Sequence, residues 1–256
     1  MSAPSLEARD LTLSFPGDGE PVQVLGGVSF AVGPGELVAL VGRSGCGKST
    51  LLGVLAGLLE PAGGQVLLDG APAADRLGRL TLMPQRDALM PWRTVADNVA
   101  VGALLGGASP DEAARSARAV LRRYGLGGFE EHYPHALSGG MRQRAALART
   151  LLGGRRGWLL DEPFGALDAL TRADLVAALE ALWAEHRPTV VLVTHDLDEA
   201  LLLADRVLVL TSRPARVADE VPVRLPRPRG LAASTRPEFA RAKARILEAL
   251  STGAAA

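Results

Sequence analysis

Leu37 to Val41 reads LVALV, an unbroken apolar run that stops at a glycine. GRSGCGKST follows, from Gly42 to Thr50, and then LLGVLAGLL with its apolar residues at helical spacing. A strand, a glycine-rich turn and a helix in that order admit few folds. A short continuous apolar run bounded by turn residues suits a strand covered on both faces. The turn satisfies the G-x-x-x-x-G-K-S/T pattern in the flanking context that the pattern requires. Its glycines let successive backbone N–H groups converge on a phosphate, and the helix start adds a favourable field. Lys48 neutralises charge shared by β- and γ-phosphates, and the Ser49 hydroxyl suits Mg²⁺. The expected phosphate-binding set is Gly42, Arg43, Ser44, Gly45, Cys46, Gly47, Lys48, Ser49 and Thr50. A glycine turn with a surface lysine is the plainer alternative, and the flanking elements disfavour it.

The rest of the chain supplies strands and helices around this unit. LEARDLTLSF alternates as a strand does, and VQVLGGVSFAVGPGELVALVG continues with short apolar runs broken by Gly and Pro. GGQVLLDG and RLTLMPQ read as further strands, the second ending near Gln85. From Thr94 to about Leu152 the spacing turns helical, which marks an inserted helical region at about residues 88–153. Within it Ser109 is a plausible N-cap, with Pro110 at the first helical position and Glu112 completing a capping box. Strand character returns at WLLDEP, TVVLVTHD and DRVLVLTSR, with the helical stretch LTRADLVAALEALWAEH between the first two. Strands flanking helices predict a parallel sheet covered on both faces, hence an α/β fold. After Arg213, the proline-rich PARVADEVPVRLPRPRG predicts an extended arm, and the amphipathic stretch from about Pro237 to Leu250 a packed or frayed helix.

In open α/β sheets, ligands sit beyond the carboxyl ends of the strands. WLLDEP ends in two carboxylates there. Asp161 is placed to hold Mg²⁺, and Glu162 to orient or deprotonate the water that attacks a γ-phosphate. Read without the phosphate loop, the pair is an N-cap and a solvated glutamate. His195 closes TVVLVTHD at the same edge, as a donor to the γ-phosphate or the attacking water, or as an ordinary structural histidine. Gln85 can reach that edge too, where a neutral amide can touch Mg²⁺ or water. The charge balance narrows the partners. Twenty-eight basic residues offset 28 acidic ones, so no overall field attracts nucleic acid. The single cysteine, Cys46, excludes an intrachain disulfide. No apolar run approaches the roughly 18 residues of a membrane span, and MSAPSLEARD lacks a leader pattern. A soluble chain inside the cell is expected.

A second anion-ready turn stands at LSGGMRQRAAL, where Ser138, Gly139 and Gly140 open an arginine-bearing helix in the inserted region, away from the sheet edge. It cannot easily serve the phosphates held by its own Lys48 loop. If two copies face each other head to tail, the turn of one closes over the γ-phosphate held by the other, and each ATP becomes part of an isologous interface. A helix cap without a ligand is the bland alternative.

Taken together, GRSGCGKST, Gln85, LSGGMRQRAALART, WLLDEPFGALDA and VTHDLDEALLLADR resemble the nucleotide-binding subunit of ABC transporters, from about Leu6 to Arg213. The resemblance implies a RecA-like core carrying the phosphate loop, an N-terminal antiparallel β subdomain and an inserted α-helical subdomain. It places a nucleotide-binding domain at residues 5–230 and a C-terminal helical tail at 231–256. It also implies ATP and Mg²⁺ as ligands, the head-to-tail homodimer, an Asp168 that crosses the interface, and a Phe15 that stacks on adenine where tyrosine is commoner. PQRDALMPWRTVADNV, YPHALSGGMRQR and SRPARVADEVPVRLPRPR look most like importer subunits of the nitrate, sulfonate and taurine group, and aminopyrimidine importers carry similar stretches. Such subunits lie on the inner face of the cell membrane against a separate permease served by a solute-binding protein. Met90, Pro91 and Trp92 become candidates for docking that permease, although packing within the helical region explains them nearly as well. Ala136, where many relatives have glutamine, and Trp158, within the apolar run before Asp161, depart from the usual pattern without touching the chemistry. A soluble ABC ATPase acting on nucleic acid or ribosomes is the alternative, weakened by the balanced charge and the lack of long coiled coils. A nucleotide kinase leaves LSGGMRQR and GALD without a role.

Overall fold

The computed structural model describes residues 2–165 and 167–253, so Ala166 of the GALD stretch and the last three residues of the tail lie outside the described part. Five parallel strands form the main sheet: β3 (Leu37–Val41), β6 (Thr81–Met83), β7 (Gly157–Asp161), β8 (Thr189–Val193) and β9 (Arg206–Leu210). With β10 (Val217–Pro222) added antiparallel at one edge, the order is β10-β9-β3-β8-β7-β6. The continuous apolar runs have a direct cause. Leu37, Ala39 and Val41 face one hydrophobic core, while Val38 and Leu40 face another on the opposite side. β8 divides in the same way, Val190 and Leu192 against Val191 and Val193. Each leucine or valine among them taken fully out of water contributes about 1.5–3 kcal/mol, so neither face can be polar.

One core is closed by α1 (Lys48–Ala56) and by a separate antiparallel sheet of β1 (Leu6–Phe15), β2 (Val22–Val32), β4 (Gly63–Leu68) and β5 (Ala71–Pro72), ordered β2-β1-β4-β5. The other core packs under α2 (Val95–Leu105), α3 (Pro110–Arg123), α4 (Gly139–Leu151), α5 (Ala169–His186), α6 (Leu197–Leu203) and α7 (Pro237–Thr252). The capping box opens α3 as its residues require. Ser109 Oγ accepts from Glu112 N at 3.4 Å, and Glu112 Oε2 accepts from Ser109 N at 3.0 Å. These bonds satisfy two of the helix's free amides.

The segment after Arg213 departs from the expected extended arm. Its first part is β10, which pairs with β9 from Val217↔Leu210 to Pro222↔Arg206. Its charges are not all in solvent either. Arg229 is 4% exposed and donates to the carbonyls of Leu225, Leu201, Ala204 and Val223. Four carbonyls replace water around the guanidinium, which is why this one arginine of a basic stretch can be buried. The amphipathic helix beyond it is packed, with Phe239 and Ile246 in the core and Lys243 Nζ 2.5 Å from Asp198 Oδ1. The strand expected to end near Gln85 stops earlier, at Met83.

Candidate functional site

The parallel strands deliver β3, β7 and β8 to one edge of the sheet, and the loops beyond them wall a cleft of about 780 Å³. Sterics explain the glycines of the first loop. A Cβ on Gly42 would lie 2.9 Å from Cys46 Sγ, and one on Gly47 would lie 2.9 Å from Val24 Cγ1. Gly47 also sits at φ 119°, which an L side chain resists. As the residue before α1 it offers no side-chain cap, so the first amides of that helix stay free to donate. Lys48 is 7% exposed, with Nζ 2.7 Å from Gly42 O and 3.0 Å from Arg43 O. The ammonium is held within the turn by these two carbonyls, with Cys46 Sγ a weaker acceptor at 4.0 Å. Ser44, Gly45, Gly47, Lys48, Ser49 and Thr50 line the cleft, whereas Gly42, Arg43 and Cys46 form the base on which the loop is folded.

Asp161 ends β7 almost wholly out of water, at 5% exposed. Among the described residues nothing donates to its Oδ1. Burial pushes its carboxyl above the ordinary range, opposed by a hydrogen bond from Ser49, helped by the charge of Glu162 and opposed by that of Lys48. Glu162 follows in a left-handed conformation, φ 48°. That geometry costs a non-glycine residue about 1 kcal/mol or more and persists only where the surroundings impose it. Three bonds do so: Glu162 N donates to Val193 O at 2.8 Å, Gly165 N to Glu162 O at 3.2 Å, and Gln143 Nε2 to Glu162 O at 3.1 Å. The turn aims the Glu162 carboxylate at two neighbours. Gln85 Nε2 donates to Oε2 at 3.1 Å, and His195 Nδ1 lies 3.4 Å from Oε1. The structure therefore brings Gln85, Glu162 and His195 together beside the Lys48 loop, as the edge rule predicts. Phe15 lies at the mouth of the same cleft, 38% exposed at the end of β1.

The other expected residues lie elsewhere. Ser138, Gly139, Gly140 and Asp168 do not line this cleft. Ser138 caps α4, its Oγ accepting from Met141 N at 3.3 Å, and Asp168 caps α5, its Oδ1 accepting from Thr171 N at 3.0 Å. Bonds from Thr171 hold the Asp168 carboxyl below its ordinary range. Ser138 and Gly139 are exposed, as is the neighbouring Leu170 at 79%.

Several residues around the site were not anticipated. Arg213 lines the cleft and donates from Nε to Gly45 O at 2.6 Å. Gln143 holds the Glu162 turn. Behind His195, Thr194 Oγ1 donates to Glu199 Oε2 at 2.6 Å, and Arg172 donates to Asp196 Oδ2 and Leu167 O, both at 3.0 Å. Glu199 is 5% exposed, and burial pushes its carboxyl up to about 7 despite the Thr194 bond. Arg172 thus joins the loop bearing Asp168 to the loop bearing His195.

Comparison with known proteins agrees with this geometry. The family described as ABC transporter matches residues 25–165. An uncharacterized ABC transporter ATP-binding protein of Methanocaldococcus jannaschii is 44% identical over 249 residues, spanning 96% of this chain and 91% of its own. The aliphatic sulfonates import ATP-binding protein SsuB of Pseudomonas fluorescens is 48% identical over 207 residues, 81% of this chain and 74% of its own length. The dimeric post-hydrolysis structure of the ATP-binding cassette MJ0796, bound to ADP and Pi, superposes with a TM-score of 0.79 at 30% identity, covering 86% of this chain and 99% of that one. A phosphate loop at the head of a doubly covered parallel sheet, an antiparallel sheet beside it and this degree of likeness lead to one conclusion: the chain belongs to the ABC transporter ATP-binding family, and its activity is ATP hydrolysis.

Proposed function

We propose that the chain is the energy-coupling subunit of an importer, working as a head-to-tail homodimer on the inner face of the cell membrane against separate permease subunits. The observation that carries this reading is a division of labour. The Lys48 loop shares a cleft with Gln85, Glu162 and His195, while the Ser138–Gly139–Gly140 turn opens outside it, with Ser138 and Gly139 exposed. A second copy facing it head to tail would present its own nucleotide to that turn, and Asp168 then lies at the pairing surface. No helix among the described residues is long and apolar enough to cross a membrane. The name of SsuB, a sulfonate import protein, favours a sulfonate-like solute. Nitrate, taurine and aminopyrimidines are the other classes that the sequence resembles, and a solute-binding protein delivers them to the permease. Trp92, 74% exposed beside Met90 and Pro91, is offered as part of the permease contact. We divide the chain into the nucleotide-binding domain at 5–230, with its helical insertion at about 88–153, and the tail at 231–256.

Within each cleft the loop amides and Lys48 bind the phosphates, the ammonium leaving the carbonyls of Gly42 and Arg43 for phosphate oxygens. Phe15 offers the adenine an aromatic face. Mg²⁺ fits the donors present, since the buried Asp161 Oδ1 has no partner among the described residues and the Ser49 hydroxyl stands beside that carboxylate. When bound, the ion neutralises charge developing on the β- and γ-phosphates. Glu162 accepts the proton of the attacking water, Gln85 fixes its carboxylate by hydrogen bonding, and His195 donates to the γ-phosphate. The test of the coupling role is uptake: membrane vesicles containing the permease and this chain should accumulate an alkanesulfonate only with internal ATP and intact Lys48. Accumulation that is indifferent to Lys48→Ala would overturn it.

A further inference from the structure

The phosphate-loop strand β3 lies between β9 and β8, and this order divides the cleft in two. On the β8 side stand the groups that handle the γ-phosphate, with His195 after β8, Asp161 and Glu162 at the end of β7, and Gln85 beyond β6. On the β9 side stands Arg213, a cation that this chemistry does not use.

The loop carrying Arg213 is closed and anchored. Thr211 N donates to Arg216 O at 3.0 Å, and Arg216 N to Thr211 Oγ1 at 2.9 Å. Ala215 N donates to Val24 O at 2.8 Å, and Gly26 N to Ala215 O at 2.9 Å, which fixes the loop on β2. Val24 is the residue against which Gly47 packs, and Val22, two positions along the same strand, pairs with Phe15. Arg213 therefore emerges between the base platform and the head of the phosphate loop. Its Nε bond to Gly45 O uses one N–H of the guanidinium, and among the described residues the others have no acceptor and no carboxylate pairs with it. A fork of free N–H groups on a fixed loop matches phosphate oxygens.

We propose that Arg213 is a further nucleotide-binding residue that donates to the phosphates nearest the ribose and not to the γ-phosphate. This rests on the reading of the cleft as the ATP site. The experiment is equilibrium binding of fluorescent ADP and ATP analogues, without Mg²⁺, to the wild type, Arg213→Ala, Arg213→Lys and Lys48→Ala, each at low and high KCl. A charged hydrogen bond supplies about 10-fold or more in affinity. Arg213→Ala should weaken both nucleotides by about that factor, with an unchanged ATP-to-ADP ratio, and Arg213→Lys should fall between. The gap between wild type and Arg213→Ala should narrow as salt rises, because a charge contact is screened. Unchanged affinity would overturn the proposal, as would loss confined to ATP. An equal loss that does not respond to salt would also overturn it, leaving Arg213 only a brace for Gly45. Failure of the cleft reading shows separately, since Lys48→Ala would then bind both nucleotides as the wild type does.

Discussion

His195 Nδ1 lies 3.4 Å from Glu162 Oε1, across a carboxylate whose other oxygen accepts from Gln85 Nε2 at 3.1 Å. The two partners come from the ends of different strands, so the orientation of Glu162 reports on three loops at once. A general base gains from such restraint, because its lone pair must already face the water it activates.

Glu162→Gln keeps the shape of that site and removes the carboxylate proposed as proton acceptor. Steady-state phosphate release should fall about 10²- to 10⁴-fold, the usual range for a general base, while ATP binding is retained. Size-exclusion chromatography of the variant with ATP should show an accumulated dimer. Turnover near that of the wild type would remove Glu162 from this role.

Glu199 makes stability depend on pH. Its carboxyl stands at about 7 in the fold against an ordinary 4.5, so between those values the folded chain holds a proton that the unfolded chain has released. The neutral form thus stabilises the fold fully below about 4.5, and this contribution is lost as the pH rises through about 7, up to roughly 3 kcal/mol in all. Glu199→Gln is neutral throughout. Thermal melts should show the variant gaining on the wild type by a few degrees between pH 5 and pH 8, and parallel pH profiles would contradict the buried neutral carboxyl.

Arg229 holds the segment after β10 against the core through four backbone carbonyls, with its own amide 2.9 Å from each oxygen of Glu180. Burial pulls the guanidinium down to about 10, still charged at neutral pH. Arg229→Ala leaves those four buried carbonyls without their donors while keeping the amide bonds to Glu180, and denaturant unfolding should lose about 3 kcal/mol or more. A loss below 0.5 kcal/mol, typical of surface positions, would mean that the segment is not packed in solution.

The parts of this fold that were legible in the sequence are those set by local rules. LVALV before Gly42 required a strand covered on two faces, Ser109 and Glu112 are three residues apart as a capping box demands, and the sheet-edge rule brought His195 and Glu162 into one cleft. What escaped is non-local. Arg213 reaches a backbone carbonyl 168 residues away, and nothing in SRPAR marks that contact. Gln143 looks like one more polar position in a helix until the Glu162 carbonyl appears opposite it. Charge and proline led the segment after Arg213 to be read as an arm, because the sequence does not display the carbonyls that make Arg229 buriable. β10 is likewise an edge strand whose partner supplies the order.

If each ATP is enclosed by two copies, mixing two differently disabled subunits should restore hydrolysis. Gly139→Asp fits the fold, since a Cβ there meets only Arg142 Nη2 at 3.9 Å and an acidic residue is welcome in a first helical turn. In the proposed head-to-tail pair it sets a negative charge against the partner's phosphate. Lys48→Ala disables the cleft and leaves the turn intact. Each variant alone should be nearly inactive, and an equimolar mixture should recover up to roughly a quarter of wild-type turnover, because half of the pairs then contain one complete site of two. Full hydrolysis by Gly139→Asp alone, or a mixture as inactive as its components, would show that one copy encloses its ATP unaided.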